Sequence, residues 1–284
     1  MDQPIVLSGV VEHGAGKGRQ AGFPTANLHA EGLTLPAYGV YASLMVLADG
    51  KMRPGVTNIG TRPTADSSER PTVETWLPGY AGDLYGQRVS LVLVSYLRAI
   101  RPFGDMSALK RQIDLDASQA AVLTGAFMES SAVSRSAAQT RAFGTGISRF
   151  LLKGDVLTLS GPLGAGKSEF ARGVAQGLGI TGTIPSPTFT ILNMYDGGRI
   201  PLYHYDWYRI EDPEELTAIG AEEHLPGDGV TLVEWSEQAP ELLPDARLAV
   251  CLVPLDAQRR LVTLRPMGGF RDIHDWITEW KQIC

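Results

Sequence analysis

Cysteines, long apolar runs and a basic leader segment are scarce or missing in this sequence of 284 residues. The two cysteines, Cys251 and Cys284, are too few for a disulfide framework and show no metal-ligand spacing. No apolar run approaches the roughly 18 residues that a membrane-spanning helix needs. The N-terminus has no basic segment followed by an apolar stretch, so no secretory signal is visible. These absences predict a soluble cytoplasmic protein that does not contact the membrane.

An excess of positive charge is also lacking. Residues 1–127 carry 11 Lys and Arg against 11 Asp and Glu, whereas residues 128–284 carry 14 against 20. An acidic domain lacks the broad positive surface expected of a protein that binds nucleic acid directly. Any connection of the second half to RNA should therefore run through a partner protein.

The length predicts about two domains. In the first part, short runs rich in Val, Leu, Tyr and Thr are separated by Gly, Pro, Asp and Asn, at residues 5–12, 38–47, 51–58, 71–77 and 87–97. Several strands without intervening helices favour a small barrel or a sandwich. A helix over about residues 107–123 follows, and residues 128–134 have the composition of a linker. We therefore predict domains at residues 1–127 and 128–284.

The second part has an α/β pattern. Ser136 and Gln139 fit a capping box, so they predict the start of a helix. Its apolar face continues to Leu151. Short strands are predicted near residues 156–160, 188–195, 200–206, 230–234, 246–253 and 261–265. Residues 270–283 show helical spacing of apolar side chains, which predicts a helix that packs on its own domain.

A phosphate-binding loop is the most specific motif of the second part. Gly161, Gly166, Lys167 and Ser168 fit the pattern G-x-x-x-x-G-K-[ST], directly after a buried strand and before a helix. Glycines let backbone N–H groups surround phosphate oxygens, and the helix directs its positive end at the anion. Lys167 is expected to reach the terminal phosphates of ATP, and the Ser168 hydroxyl to ligate Mg²⁺. The nucleotide-binding set also includes Leu163, Gly164 and Ala165.

Further motifs follow in a fixed order along the second half. They are Leu163–Ser168, Ser186–Phe189, Tyr205–Arg209, Glu214–Leu216 and Val233–Trp235. This series resembles the TsaE family, the ATPase subunits of the bacterial complex that makes N6-threonylcarbamoyladenosine at position 37 of tRNA. The resemblance covers about residues 134–265. It implies an α/β P-loop NTPase fold, TsaB- and TsaD-like partner subunits, and only an indirect relation to tRNA.

The resemblance also implies roles for two acidic residues. Glu234 ends a buried strand, where it would hold Mg²⁺ or a water on it. Asp206 follows another strand and would orient water or metal. The alternative is that either residue is a helix cap or a surface acid, but their position at strand ends facing a P-loop favours function. His204 precedes Asp206, and we assign it no role because a single histidine on a strand is more often packed or exposed.

Three more residues match TsaE positions near the nucleotide. Thr188 lies on a candidate switch loop beside the γ-phosphate. Thr140 matches a position close to the nucleotide, and Trp235 would pack near it.

A second glycine-rich loop follows the first predicted strand. It contains Gly14, Gly16, Lys17, Gly18 and Arg19, whose basic members suggest an anionic ligand. Beyond it, Thr25 and Asn27 are two oxygen donors that could face one cation. On composition alone, a long hairpin loop explains the segment equally well.

The wider pattern of the first half decides between these interpretations. Its motifs are Val10–Gly14, Gly18-Arg19, Gly22–Leu28, Gly39–Ala42, Asn58–Thr64, Val73–Thr75, Gly82–Gly86, Leu97-Arg98 and Pro102-Phe103. This series resembles the riboflavin kinase family over about residues 5–120. The resemblance implies an all-β, six-stranded Greek-key barrel with a C-terminal helix. It further implies transfer of the γ-phosphate of ATP to the 5′-hydroxyl of riboflavin, which gives FMN.

Roles follow from this second resemblance. The glycine-rich loop would close over the nucleotide phosphates, while Thr25 and Asn27 would hold Mg²⁺. Glu74 would accept the ribityl hydroxyl proton as general base, and Arg98 would help to frame the flavin. Residues 76–80 depart from the acidic-aromatic step usual after this glutamate. No adenylyltransferase motif is found in the chain, so FMN is the expected product.

We therefore predict a bifunctional enzyme, with two alternatives. In the first, the barrel binds flavin nucleotide without turnover and regulates the ATPase. In the second, the P-loop half is a small-molecule kinase.

Overall fold

The computed structural model describes residues 4–14, 18, 22–29, 32–63 and 69–282. They fall into two units, one ending at Glu129 and the other beginning at Ser130. The predicted division after residue 127 lies two residues earlier. Among the described residues, no helix is both long and apolar enough to cross a membrane.

The first unit is a closed barrel in which all neighbouring strands are antiparallel. The strand order is β1-β2-β5-β4-β3-β6, so a meander of three strands is flanked by β2 on one side and β6 on the other. The six-stranded barrel predicted from the resemblance is thus confirmed. The strands are β1 Ile5–Glu12, β2 Thr25–Leu28, β3 Gly39–Val46, β4 Met52–Pro63, β5 Glu69–Trp76 and β6 Arg88–Arg98.

The barrel interior is apolar with one polar ladder. Leu7, Ile59 and Leu91 are among its buried members. Hydroxyl groups cross three strands inside it: Ser43 Oγ lies 2.7 Å from Thr57 Oγ1, which lies 2.9 Å from Thr75 Oγ1. Such buried hydroxyls are tolerated because each finds a partner.

Helix α1, Met106–Glu129, packs against the outside of the barrel. Ala120 shares a buried cluster with Val40, Ala42 and Val56. The helix was predicted to end near residue 123, which is wrong by about two turns. Gly125 does not end it because this glycine has no positive φ, and a helix interior tolerates glycine at a small cost.

The second unit contains a seven-stranded sheet in the order β7-β13-β12-β8-β11-β10-β9. The four central strands, β12, β8, β11 and β10, are parallel, whereas the edge pairs are antiparallel. Short 3₁₀ helices occupy Ala221–His224, Ser236–Gln238 and Pro240–Leu242. The other elements are β7 Ser131–Ser134, α2 Ala137–Ser148, β8 Val156–Ser160, α3 Lys167–Gly177, β9 Leu192–Tyr195, β10 Leu202–Asp206, α4 Glu214–Ala218, β11 Val230–Glu234, β12 Arg247–Pro254, β13 Arg260–Met267 and α5 His274–Lys281.

The predictions for the two terminal segments of this unit had different outcomes. Residues 131–134 were predicted as linker, which is wrong: they form β7 and pair with β13. The predicted docking of the C-terminal helix is confirmed. Trp280 of α5 is fully buried, and its indole Nε1 donates to the carbonyl of Phe143 at 3.1 Å.

Helices α2 and α3 approach closely through glycines. The predicted cap of α2 is present in part: the Gln139 N–H donates to Ser136 Oγ, but Gln139 Oε1 accepts from the N–H of Arg135 rather than from that of Ser136. A Cβ atom on Gly173 would lie 1.9 Å from the carbonyl oxygen of Arg141, so only glycine fits there. This contact fixes α3, and with it the P-loop that precedes it.

Candidate nucleotide sites on the barrel and the sheet

The P-loop turns from β8 into α3 through backbone conformations that favour glycine. Gly161, Gly164 and Gly166 have φ values of 140°, 76° and 100°. A Cβ atom on Gly161 would lie 2.2 Å from the Leu252 carbonyl oxygen, so the loop rests directly on β12. The helix then begins at Lys167, which directs its N-terminal N–H groups at the loop.

Lys167 is buried in this loop. Its Nζ donates to the carbonyl oxygens of Gly161 at 2.7 Å and Pro162 at 3.1 Å, and lies 3.8 Å from the centroid of the Trp235 ring. Burial lowers the pKa of Lys167, while Glu234 and other nearby carboxylates partly oppose that shift. Trp235 has a φ of 58°, an unusual conformation for a non-glycine residue. Because Lys167 Nζ contacts neutral carbonyl oxygens and an aromatic ring, its ammonium group is held by weak acceptors that a phosphate can replace.

Glu234 connects the end of β11 to the start of α3. Its Oε2 accepts from Ser168 Oγ at 3.3 Å, and its Oε1 lies 3.0 Å from His204 Nε2. Both Glu234 and His204 are almost fully buried. A carboxylate and a hydroxyl side by side are the oxygen donors that Mg²⁺ prefers, so these residues fit a magnesium-bound nucleotide.

Asp206 anchors the Ser-Pro-Thr segment at the end of β10. Its Oδ2 accepts from Thr188 Oγ1 at 2.5 Å and from Ser186 Oγ at 3.1 Å, and its Oδ1 accepts from the N–H of Tyr208 at 3.0 Å. Asp206 and Glu234 are paired across β10 and β11. The two predicted acids therefore lie side by side at the strand ends.

These groups line one cavity of about 260 Å³. It brings together most of the predicted TsaE-like site and adds four residues that were not predicted: Glu169, Arg172, Ser186 and Tyr208. The predicted residues in its wall are Leu163, Gly164, Ala165, Gly166, Lys167, Ser168, Thr188, Asp206, Glu234 and Trp235.

On the barrel, the predicted catalytic and metal-binding residues share one face of adjacent strands. Asn27 of β2 is paired with Glu74 of β5, and Thr25 with Trp76. Since side chains two residues apart on a strand point to the same side, Thr25, Asn27 and Glu74 are neighbours. Glu74 is also paired with Asn58 of β4.

The described part of the glycine-rich loop lies against this face. A Cβ atom on Gly14 would lie 2.3 Å from Asn27 Nδ2. One on Gly18 would lie 2.5 Å from the Phe23 carbonyl oxygen and 3.3 Å from Thr25 Oγ1. Glycine is thus required at position 18, where a Cβ atom would meet backbone, whereas at position 14 the Asn27 side chain would have to move. This close approach to the two proposed metal ligands fits a loop that closes over a metal-bound phosphate. Gly16, Lys17 and Arg19 lie outside the described residues.

Comparisons with protein families assign a family to each half of the chain. Residues 134–262 match the model described as "Threonylcarbamoyl adenosine biosynthesis protein TsaE". The TsaE protein of Bacillus subtilis is 45% identical over 131 residues, which are 46% of this chain and 82% of that protein. The TsaE protein of Treponema pallidum is 44% identical over 132 residues, or 46% of this chain and 97% of that protein. The chain belongs to the TsaE family.

The TsaE match accounts for the second half only, and the first half has its own family. Residues 1–124 match the riboflavin kinase model, so a riboflavin kinase domain precedes the TsaE domain. A solved structure of riboflavin kinase from Trypanosoma brucei is 24% identical and covers 42% of this chain and 78% of that chain, with a TM-score of 0.31. A TM-score this low adds nothing to the family match.

Two other predicted residues make contacts outside the groups described above. In the TsaE domain, Thr140 is behind the P-loop, where its Oγ1 lies 2.6 Å from Ser134 Oγ and its methyl group 3.6 Å from where a Gly166 Cβ would be. In the kinase domain, the guanidinium of Arg98 binds the buried carboxylate of Asp116 on α1 at 2.8 to 3.1 Å and lies over the Phe103 ring. Arg98 therefore joins β6 to α1.

A second cavity, of about 410 Å³, opens at the end of the barrel in the kinase domain. Its wall includes Thr25, Thr75, Tyr80 and Tyr85. Trp76, which begins the segment that departs from the family pattern, packs edge-on against Phe23 with ring centroids 4.8 Å apart. The indole thereby contacts the side chain two residues before Thr25.

Two of the four TsaE-domain residues that sequence reasoning missed, Glu169 and Arg172, lie on helix α3. Arg172 lies four residues after Ser168 on α3, so both face the cavity. Helical spacing from the motif could have identified it. Glu169 binds Arg172 and Arg141.

Proposed function

We propose that this chain is a bifunctional enzyme that phosphorylates riboflavin to FMN in its first half and hydrolyses ATP for N6-threonylcarbamoyladenosine (t6A37) modification of tRNA in its second. The observation that carries the proposal is the presence of two separate sets of magnesium- and phosphate-directed residues. One set lies on β2 and β5 of the barrel, and the other surrounds the P-loop.

In the kinase half, Glu74 acts as general base on the 5′-hydroxyl of riboflavin. Thr25 and Asn27 hold Mg²⁺, which neutralises phosphate charge when it is bound. The glycine-rich loop closes over the phosphates, with Gly14 and Gly18 packed on these ligands. Glu74 takes the hydroxyl proton as the oxygen attacks the γ-phosphorus of ATP, and ADP leaves. The reaction needs positioning and charge neutralisation more than covalent chemistry.

In the TsaE half, Lys167 moves from the Gly161 and Pro162 carbonyl oxygens to the terminal phosphates of ATP. This exchange is favourable because a phosphate is a stronger acceptor for an ammonium group than a neutral carbonyl. Ser168 and Glu234 hold Mg²⁺, which stabilises charge on the phosphates when it is bound. Asp206, with the Thr188 hydroxyl on its Oδ2, orients the attacking water.

The TsaE half works with TsaB- and TsaD-like subunits, and tRNA is contacted by those partners. Its excess of acidic over basic residues supports this indirect relation to RNA. We place the protein in the cytoplasm, where riboflavin, ATP and tRNA are all present.

A pair of variants tests the two assignments together. Glu74→Gln should abolish riboflavin-dependent ADP formation and leave the ATPase stimulated by partner subunits intact. Lys167→Ala should do the opposite, because it removes the phosphate-binding ammonium group from the P-loop alone. Loss of both activities in either variant would contradict independent sites.

The wild-type assays also separate the proposal from its alternatives. FMN bound without riboflavin-dependent ADP formation would favour a flavin-sensing barrel. An ATPase stimulated by a small metabolite rather than by partner subunits would favour a P-loop small-molecule kinase.

A further inference from the structure

His204 is buried beside the P-loop but has no part in the mechanism above. It lies on β10 two residues before Asp206, and its side chain is only 1% exposed. Its Nε2 is 3.0 Å from Glu234 Oε1. This histidine is therefore packed against the carboxylate proposed to hold Mg²⁺.

The two oxygens of Glu234 have different neighbours. Oε1 faces His204, and Oε2 faces the Ser168 hydroxyl. A carboxylate held at one oxygen cannot rotate freely, so the other oxygen keeps a fixed direction. Partners of this kind commonly orient the ligands of protein-bound metals.

The hydrogen-bonding pattern identifies the donor. Since an ionised carboxylate only accepts, the proton lies on His204 Nε2. Within the described part of the chain, Nδ1 of His204 is buried without a hydrogen-bond partner. Such a buried unpaired nitrogen needs an explanation in a native structure. With the proton on Nε2, Nδ1 is an unprotonated acceptor, so the N–H of the buried ring is the group that has a partner.

We propose that His204 is a positioning residue, which holds Glu234 by a hydrogen bond from Nε2 so that Oε2 points toward Ser168 and a bound Mg²⁺. This inference rests on the proposed binding of magnesium-nucleotide by the TsaE half. His204 itself touches neither nucleotide nor metal.

Two amide substitutions distinguish positioning from packing. In His204→Gln, the side-chain nitrogen reaches about as far as the imidazole Nε2, so the bond to Glu234 is kept. In His204→Asn, the shorter amide cannot reach Glu234. Tyr205→Phe is the matched control, because it alters the next residue of β10 by removing a buried hydroxyl that has no hydrogen-bond partner among the described residues.

The readout is binding of a non-hydrolysable ATP analogue at increasing Mg²⁺ concentration. Binding that Lys167→Ala abolishes is assigned to the P-loop. His204→Asn should bind the metal-free analogue normally but need about 10- to 100-fold more Mg²⁺ for half-maximal tightening. His204→Gln and Tyr205→Phe should follow the wild type.

Each result decides a different claim. Wild-type Mg²⁺ dependence in His204→Asn, or an equal defect in both amide variants, would overturn the positioning role and leave the proposed function standing. If His204→Asn does not fold, His204→Gln decides alone, since a shifted Mg²⁺ dependence would contradict the proposal and an unshifted one supports it. A wild-type protein whose P-loop binding ignores Mg²⁺ would overturn the proposed function itself.

Discussion

At the scale of single residues, the proposed function requires a negative charge at Glu234. Glu234→Gln keeps the shape and an acceptor for His204 but removes the charge that we propose holds Mg²⁺. We expect ATPase activity to fall about 100-fold, or roughly 3 kcal/mol of transition-state stabilisation, with the melting temperature nearly unchanged. Steady-state ATPase assays and thermal unfolding measure both quantities.

Glu237→Gln is the control for that variant. Glu237 is an exposed acid three residues further along, which acts on Lys167 only through its charge. It should retain most of the activity. Equal losses in the two variants would mean that general acidity near the P-loop, rather than a metal ligand at residue 234, supports hydrolysis.

Lys167 should make the stability of the nucleotide-free protein depend on pH. Burial lowers the pKa of Lys167 below its usual 10.5, so the unfolded chain binds the proton more tightly than the folded protein. The free energy of unfolding should therefore rise as pH increases from the folded-state pKa toward the unfolded value, and then level off.

Lys167→Met removes this titration and keeps a long apolar side chain. Urea unfolding at about pH 8 and about pH 10 should show the wild type gaining stability relative to Lys167→Met, because other groups titrate alike in both proteins. Parallel pH profiles would contradict the assigned cause.

Residues of a local motif could be predicted from the sequence, whereas contacts between distant residues could not. The P-loop residues follow from a local motif whose chemistry fixes residue types. Other contacts join residues far apart in the chain and have no local signal. Arg98 with Asp116 and His204 with Glu234 are of this kind. The contact of His204 with Glu234 was missed because a lone histidine on a strand says nothing about the strand beside it.

At the scale of elements, the packing of α2 on α3 determines where the P-loop lies. Gly173→Ala would place a methyl group 1.9 Å from the Arg141 carbonyl oxygen, so the helices must separate. We expect a loss of about 1–3 kcal/mol in the free energy of unfolding. The same shift of α3 should weaken nucleotide binding at the P-loop.

Gly125→Ala is the matched substitution on α1. A Cβ atom there meets nothing within 4 Å, so the change should stabilise the protein by roughly 0.5–1 kcal/mol through helix propensity alone. Urea unfolding of both variants measures the contrast. If both substitutions changed the free energy of unfolding equally, the claim that glycine at position 173 permits the close approach of α2 and α3 would be wrong.

Strands with a mostly apolar sequence were predicted better than strands of four residues. Strands such as β8 and β11, with continuous apolar runs, were placed to the residue. The short strands β2 and β7 were missed, because four residues carry too little pattern and their pairing partners lie far along the chain. The sequence of β7, Ser-Ala-Val-Ser, has the composition of a linker, and its hydrogen bonds to β13 make it a strand.

At the scale of the whole molecule, two nucleotide sites in one chain require two sets of independent phosphate ligands. In the proposal, the kinase set lies on a barrel face, and the TsaE set lies at the ends of the parallel strands. Composition and motif order were enough to predict both architectures. The residues proposed for each site came from family motifs, but the distances between them needed the structure.

Isothermal titration calorimetry with a magnesium-bound, non-hydrolysable ATP analogue tests this arrangement most directly. We predict two nucleotides bound per chain at saturation for the wild type and one for Lys167→Ala, whose remaining binding belongs to the barrel. A single nucleotide per wild-type chain, or no binding at all by Lys167→Ala, would contradict the account.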